Sequence, residues 1–307
     1  MHILITGGTG MIGKALTKLL VGKNYSVIIL TRHSSKLQPT PGVSYADWDV
    51  EKQTIDQEAI QNADYVIHLA GAGIADKRWT KKRKIEIEES RTKGSALLVK
   101  ALTENQHRVK AIVSASAIGW YGPDSVVPNS KPFVETDPAN PDFLGETCKR
   151  WETSIRPVEG LGIRLAWCRT GIVLSNEGGA FPEFKRPLNF GFATILASGK
   201  QVVSWIHVND LCRVYLEAIE NEHFRGAFNA VAPFPVNNRE LVLKIARRKN
   251  GKLYLPFHVP AFLLKTVLGE LSIEVLKSAT ISDQKLLDLG FTFEFPTLDD
   301  ALDNLIR

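Results

Sequence analysis

Cysteine is scarce: Cys148, Cys168 and Cys212 are odd in number, far apart, and form no Cys-x-x-Cys pair. That excludes a disulfide-stapled scaffold and provides no zinc motif; His207 has no companion ligands at metal spacing, so no metal site is expected. The chain has no apolar run of the roughly 20 residues that a membrane helix needs. It opens Met-His-Ile-Leu-Ile-Thr, with no basic leader before the apolar residues. A cytoplasmic setting with buried thiols is the expectation. A large surplus of one charge sign is also missing, because 38 Lys and Arg stand against 33 Asp and Glu, a net +5. Spread over this length, that is too dilute for a nucleic-acid surface. No repeat, low-complexity block or flexible linker is evident. The expected partner is a small-molecule substrate, with a homodimer or a protein partner left open and neither nucleic acid nor membrane involved.

What the sequence does have is enough apolar residues, 44% of 307, to bury a substantial core. Strand-like runs recur at 2–6, 26–31, 43–46, 65–70, 110–115 and 164–169. Helical patterns lie between several of them, most clearly at 12–21, with Leu16, Leu19 and Leu20 on one face, and at 92–103. Near-continuous apolar strands alternating with helices indicate a parallel sheet covered on both faces. The expected fold is α/β: a Rossmann doubly wound parallel sheet over residues 1–170, to which some later segments return. Residues 171–307 are expected to form a smaller α/β substrate lobe, with a strand at Phe291-Thr-Phe-Glu-Phe295.

The strongest local signal is the turn Thr6-Gly-Gly-Thr-Gly-Met-Ile-Gly13, at the end of the first strand and opening the first helix. Gly7, Gly10 and Gly13 permit a tight turn, close approach of backbone amides to a pyrophosphate, and close helix–sheet packing; the helix N-terminus favours the anion. Thr9, Met11 and Ile12 belong to the same cradle. The second strand then ends in Thr31-Arg32-His-Ser-Ser-Lys36, not in the acidic residue that would accept from the ribose hydroxyls of NAD. Arg32 can pair with a 2′-phosphate and stack on adenine, with Thr31, Ser34 and Lys36 as further donors. The expected cofactor is therefore NADP(H).

With Gly7-x-x-Gly10-x-x-Gly13, Leu69-Ala-Gly71, Ser114-Ala-Ser116 and Trp205-Ile-His-Val-Asn-Asp210, the chain resembles the extended short-chain dehydrogenase/reductases. Arg78-Trp79, Ser90-Arg91, Lys149-Arg-Trp-Glu152, Arg169-Thr-Gly-Ile-Val173 and the ending Gly290-Phe…Phe295-Pro…Ala301-Leu302 narrow the resemblance to the atypical YfcH-type epimerase family. That resemblance implies that Thr31 and Arg32 hold the adenosine phosphate, and that Leu69, Ala70 and Gly71 lie along the dinucleotide. It also implies that Glu86 and Arg91 contact it from the following helix, with Val173 near the nicotinamide. Taken alone, the run 81–91 reads as a solvated helix face.

Typical members of the superfamily carry Tyr-x-x-x-Lys on one helix, the spacing that puts both side chains on one face. Here Ser116 falls where the family's serine is found and the helix at 142–152 offers Lys149, but four residues earlier stands Gly145. The tyrosine is missing, and Arg91 stands near an assisting asparagine's usual place. Tyr121 is the candidate substitute, or else a loop aromatic against the substrate or Trp120. Lys149 is either the ribose holder or a surface lysine, and Glu146 either a further acid/base candidate or part of the helix surface. The stretch 178–186, with 199–207, supplies aromatic and basic groups for a polar or anionic ligand, with Trp205 and His207 either lining the cleft or packing. Two functions follow: an NADP-dependent oxidoreductase or epimerase acting on a small polar metabolite such as a nucleotide sugar, or a nonenzymatic NADP(H)-binding redox sensor.

Overall fold

The computed structural model describes residues 1–127 and 129–306. The amino-terminal part alternates β1 (His2–Thr6), α1 (Met11–Gly22), β2 (Ser26–Thr31), β3 (Val43–Asp49), β4 (Thr54–Ile55), α2 (Gln57–Asn62) and β5 (Tyr65–His68). It continues through α3 (Lys81–Glu104), β6 (Ala111–Ala117), α4 (Phe143–Ile155) and β7 (Arg164–Thr170). These strands, joined by a later one, form a sheet of order β12-β7-β6-β5-β1-β2-β3-β4, in which β12 is Gly226–Ala230. Pairing is parallel throughout, from Gly226 against Ala166 to Val27 against Val43, until β4 turns back antiparallel at the edge.

The period-2 alternation of the strands sets the two faces. Ile3 and Ile5 face one layer, packing with Leu16 and Leu20 of α1 and with Leu211 and Tyr215 of a helix at Val208–Glu220. Leu4 points the other way, into a core built with Ile60 of α2 and Leu97, Leu98 and Leu102 of α3. Each such fully buried aliphatic side chain contributes about 1.5–3 kcal/mol relative to its exposed state. From β1 the chain winds outward through β2 and β3, then crosses back to place β5 on the other side of β1. The crevice where the winding reverses lies between β1 and β5 at their carboxyl ends, the place where open α/β sheets hold ligands.

The rest of the chain comprises β8 (Ile172–Leu174), α5 (Ala180–Lys185), β9 (Phe192–Leu196), β10 (Val202–Val203), β11 (Trp205–His207) and α6 (Val208–Glu220). After β12 come β13 (Val236–Asn237), α7 (Asn238–Asn250), β14 (Leu255–Val259), α8 (Ala261–Leu268), α9 (Leu271–Leu276), α10 (Gln284–Asp288) and α11 (Leu298–Leu305). Phe181, Trp205, Leu241, Ile245 and Leu302 form its separate core. The strand expected at 291–295 is absent. Phe291 and Phe295 are buried in different cores, and the amides of Glu294 and Phe295 donate to the two carboxylate oxygens of Asp210 at 2.8 Å each. Aromatic spacing suggested a ladder, but the Asp210 carboxylate satisfies those donors instead.

Candidate nucleotide crevice and adjoining buried network

The turn after β1 is built to be close. Gly7 takes φ +72° and accepts from Gly10 N–H at 3.0 Å. A Cβ on Gly13 would lie 2.4 Å from the Gly7 carbonyl oxygen, and one on Gly7 would lie 3.0 Å from Ala70 N, so both positions need glycine. Gly10 caps α1 without a side chain, and among the described residues the N–H groups of Met11, Ile12 and Gly13 find no protein acceptor. Thr9 and Gly10 are exposed above them. Cβ atoms on Gly178 and Gly179 would lie 3.7 and 3.5 Å from Met11 Sδ, the latter also 3.6 Å from the Val173 carbonyl oxygen, so the segment after β8 rims the turn. Uncapped donors at a helix N-terminus, beneath glycines that leave room, fit a pyrophosphate.

A buried relay fixes this floor. Thr6 Oγ1 accepts from the amides of Leu69 and Ala70, both at 3.1 Å, and therefore gives its proton to His68 Nδ1, 2.7 Å away. His68 Nε2–H then donates to Ser95 Oγ at 3.2 Å, and Ser95 donates to the Arg91 carbonyl at 3.0 Å. Burial, aided by the Arg91 charge, pushes the His68 pKa down to about 3, so the ring is neutral. Sequence reasoning gave His68 no part; its one signal was a histidine in an otherwise apolar strand.

At the end of β2, Thr31 lies in register with Asp47, whose carboxylate accepts the Ser34 N–H at 3.1 Å; hydrogen bonds from Ser34 hold its pKa below the ordinary value. Arg32 is exposed at this mouth. Beyond β5, Leu69 and Ala70 back onto Gly7, and a Cβ on Gly71 would be 3.1 Å from both Cγ and Cζ of Arg91. Arg91 stacks on Trp151, its Cζ 4.9 Å from the ring, and donates to the Ile87 carbonyl at 2.8 Å. Glu86 does not join it. Its carboxylate is exposed and pairs at 2.7 Å with Arg83, which holds the Gly73 carbonyl at 2.5 Å.

Of the three catalytic candidates, Ser116 and Tyr121 join one buried network and Lys149 does not. Ser116 Oγ donates to Glu152 Oε1 at 2.7 Å. Arg169 Nε and Nη2 grip the two Glu152 oxygens at 2.9 and 3.0 Å, while its Nη1 donates to Tyr121 OH and to the Glu135 carbonyl, each at 3.0 Å. Tyr121 OH donates to Asn229 Oδ1 at 2.6 Å, its ring stacks on Phe133, and Trp120 covers the Arg169 guanidinium at 3.6 Å. Tyr121 is wholly buried, burial lifts its pKa to about 12, and its hydroxyl is engaged by both Asn229 and Arg169. Lys149 stands apart: its side chain is 58% exposed and its nearest carboxylate, Glu146 on its own helix, is 3.9 Å away.

The register of α4 explains this. A side chain on Gly145 is impossible, since its Cβ would sit 2.1 Å from the Asn140 carbonyl oxygen. The pair at spacing four that meets the end of β6 and the turn after it is instead Cys148, whose thiol points at the Ala117 carbonyl at 3.7 Å, and Leu144, packed on Gly119. Lys149, one residue on, is rotated about 100° away into solvent. Burial raises the Cys148 pKa to about 12, leaving a neutral thiol. Glu152, Arg169 and Asn229, the other members of the network, drew no functional reading from sequence. A charged residue inside the apolar strand Arg-Leu-Ala-Trp-Cys-Arg-Thr was the available sign.

Comparison with known proteins bears on this arrangement. Residues 3–144 match the NAD dependent epimerase/dehydratase family, and residues 259–305 match a domain of unknown function, DUF1731. The epimerase family protein SSP1921 of Staphylococcus saprophyticus is 37% identical over 309 aligned residues, covering 100% of this chain and 99% of that protein. The human epimerase family protein SDR39U1, crystallised with NADPH, superposes with TM-score 0.86 at 28% identity, covering 100% of this chain and 99% of that one. A nucleoside-diphosphate sugar epimerase from Corynebacterium glutamicum superposes with TM-score 0.77 at 30% identity; the match spans 100% of this chain and 58% of that longer one.

Proposed function

Since this chain belongs to the epimerase family and is an atypical short-chain dehydrogenase/reductase, we propose that it is an NADP(H)-dependent oxidoreductase or epimerase acting on a small polar metabolite of the nucleotide-sugar class. One observation carries the cofactor assignment: uncapped amides of Met11, Ile12 and Gly13 at the switch point, with Arg32 where an NAD site has a carboxylate. The NADPH bound by the human relative and the sugar substrate named for the Corynebacterium relative support the reading.

When bound, the dinucleotide supplies a nicotinamide that exchanges hydride at C4. The chain's own contribution is to hold and orient. The α1 amides and Arg32 would take the phosphates, Leu69, Ala70 and Gly71 would lie beside the dinucleotide, and Val173 would stand on its far side. Ser116 is the residue we assign to the substrate. Its proton goes to Glu152, so it presents lone pairs that accept from a substrate hydroxyl, with a hydrogen-bonded exit from Ser116 Oγ to Glu152 Oε1. Arg169 keeps Glu152 in place, and Tyr121 positions Arg169. Lys149 has no part in this scheme.

The test is titration with NADPH and NADH, followed by a screen of nucleotide sugars and simple carbonyl compounds for change in reduced-nicotinamide absorbance and for epimer formation. Ser116→Ala should abolish turnover and leave NADPH affinity within about twofold. Unchanged turnover in that variant refutes the assignment. A second reading, a nonenzymatic NADP(H) redox sensor, draws on the Leu144/Cys148 pair, which offers no acid or base where the superfamily has both. It requires a protein partner whose affinity differs between NADPH-loaded and NADP+-loaded chain; equal affinities refute it.

A further inference from the structure

We infer that Arg91 makes the crevice discriminate between redox states of the dinucleotide, binding the reduced form more tightly than the oxidised one; the inference rests on the cofactor reading above. Arg91 reaches from α3 toward the loop that follows β5. On one side is Gly71, whose Cβ would be 3.1 Å from the guanidinium carbon, and on the other are Trp151 and Cys148 of α4, with Cys148 turned to the Ala117 carbonyl. With phosphates at α1 and Arg32, the second nucleotide half falls on this β5–β6 side of the switch point.

Among the described residues no carboxylate pairs with that charge. The ionisable groups around Arg91 are His68, a neutral ring, Cys148, a neutral thiol, and Arg83, a like charge tied to Glu86. Glu152, the carboxylate on the facing helix, is held bidentately by Arg169. Only Nη1 of the guanidinium has a partner among the described residues, the Ile87 carbonyl, and the stack on Trp151 fixes the direction of the remaining donors. An oxidised nicotinamide ring carries a positive charge and a reduced ring none, so a fixed cation without a counter-ion penalises only the oxidised form. At an effective dielectric near 20, a unit positive charge brought within roughly 12 Å of the guanidinium would be disfavoured by about tenfold or more, and that is the preference expected for NADPH over NADP+.

The experiment is calorimetric titration of the full chain with NADPH and with NADP+, in wild type, Arg91→Lys and Arg91→Gln. The expected result is tighter NADPH binding in wild type, a preference retained in Arg91→Lys, and a ratio near one in Arg91→Gln through a gain in NADP+ affinity relative to NADPH. Equal affinities in wild type overturn the inference without any variant being needed, and so does an unchanged ratio in Arg91→Gln. If wild type binds neither nucleotide, the cofactor reading itself fails and the inference with it; binding of both with equal affinity defeats the inference alone.

Discussion

Replacing Glu152 with leucine tests whether the buried network is an electrostatic keystone. Arg169 and Glu152 are 3% and 4% exposed and joined at 2.9 and 3.0 Å. Glu152→Leu leaves the Arg169 guanidinium with Tyr121 OH, the Glu135 carbonyl and the face of Trp120, but without the carboxylate that pairs with it directly. Removing one partner of such a pair costs about 3–5 kcal/mol, a large part of the 5–15 kcal/mol that separates folded from unfolded domains. Ser116 also loses its acceptor, adding about 1 kcal/mol. The double variant Glu152→Leu/Arg169→Met removes both charges and refills the space with apolar groups. It should therefore recover at least about 2 kcal/mol relative to the sum of the single losses. Urea midpoints of the four proteins measure this cycle. Single losses below about 1 kcal/mol that simply add would show that the network carries little net charge coupling, and the reasoning would fall.

Other outcomes are equally definite. Gly13→Ala places a Cβ 2.4 Å from the Gly7 carbonyl oxygen and 2.5 Å from Gly8 Cα, so NADPH titration should show a loss beyond about tenfold as the turn opens. Arg32→Ala should weaken NADPH by about ten- to hundredfold and leave NADH unchanged, by loss of a charge-assisted phosphate contact; parallel losses for both nucleotides would reject the 2′-phosphate role. Lys149→Ala should leave both NADPH affinity and turnover within about twofold, in keeping with its exposed side chain. The His68 pKa falls from 6.5 to about 3 on folding and that of His207 to about 4, because burial disfavours the charged ring in both. Their contribution to stability is complete above pH 6.5 and is lost as pH drops toward those folded values, by up to about 1.4 kcal/mol per pH unit for each. Urea midpoints from pH 7 to pH 4 should fall, and His68→Asn should flatten that slope.

The sequence by itself determined the fold class, because the signals are local: strand runs of period 2, an amphipathic helix at 12–21, and a glycine triplet at their junction. It also located the glycine cradle and the basic end of β2, since position along the first β-α-β unit dictates what each residue can touch. The catalytic half could not be read this way. Spacing identified Lys149 and Gly145 as the pair four apart, but which pair of α4 faces β6 depends on the helix's rotation about its axis. That rotation is set by packing of Leu144, Trp151 and Ile155, and by contact of Gly145 with the Asn140 backbone. One residue of register turns a lysine from the site into solvent. Tyr121 likewise carried a free hydroxyl in the sequence, and only the convergence of Arg169 from β7 and Asn229 from β12, 48 and 108 residues away, consumes it. The Phe291–Phe295 run looked like a strand until Asp210, 85 residues before Phe295, took its amides. Long-range partners decide where polar groups spend their hydrogen bonds, and those partners meet only in the folded chain.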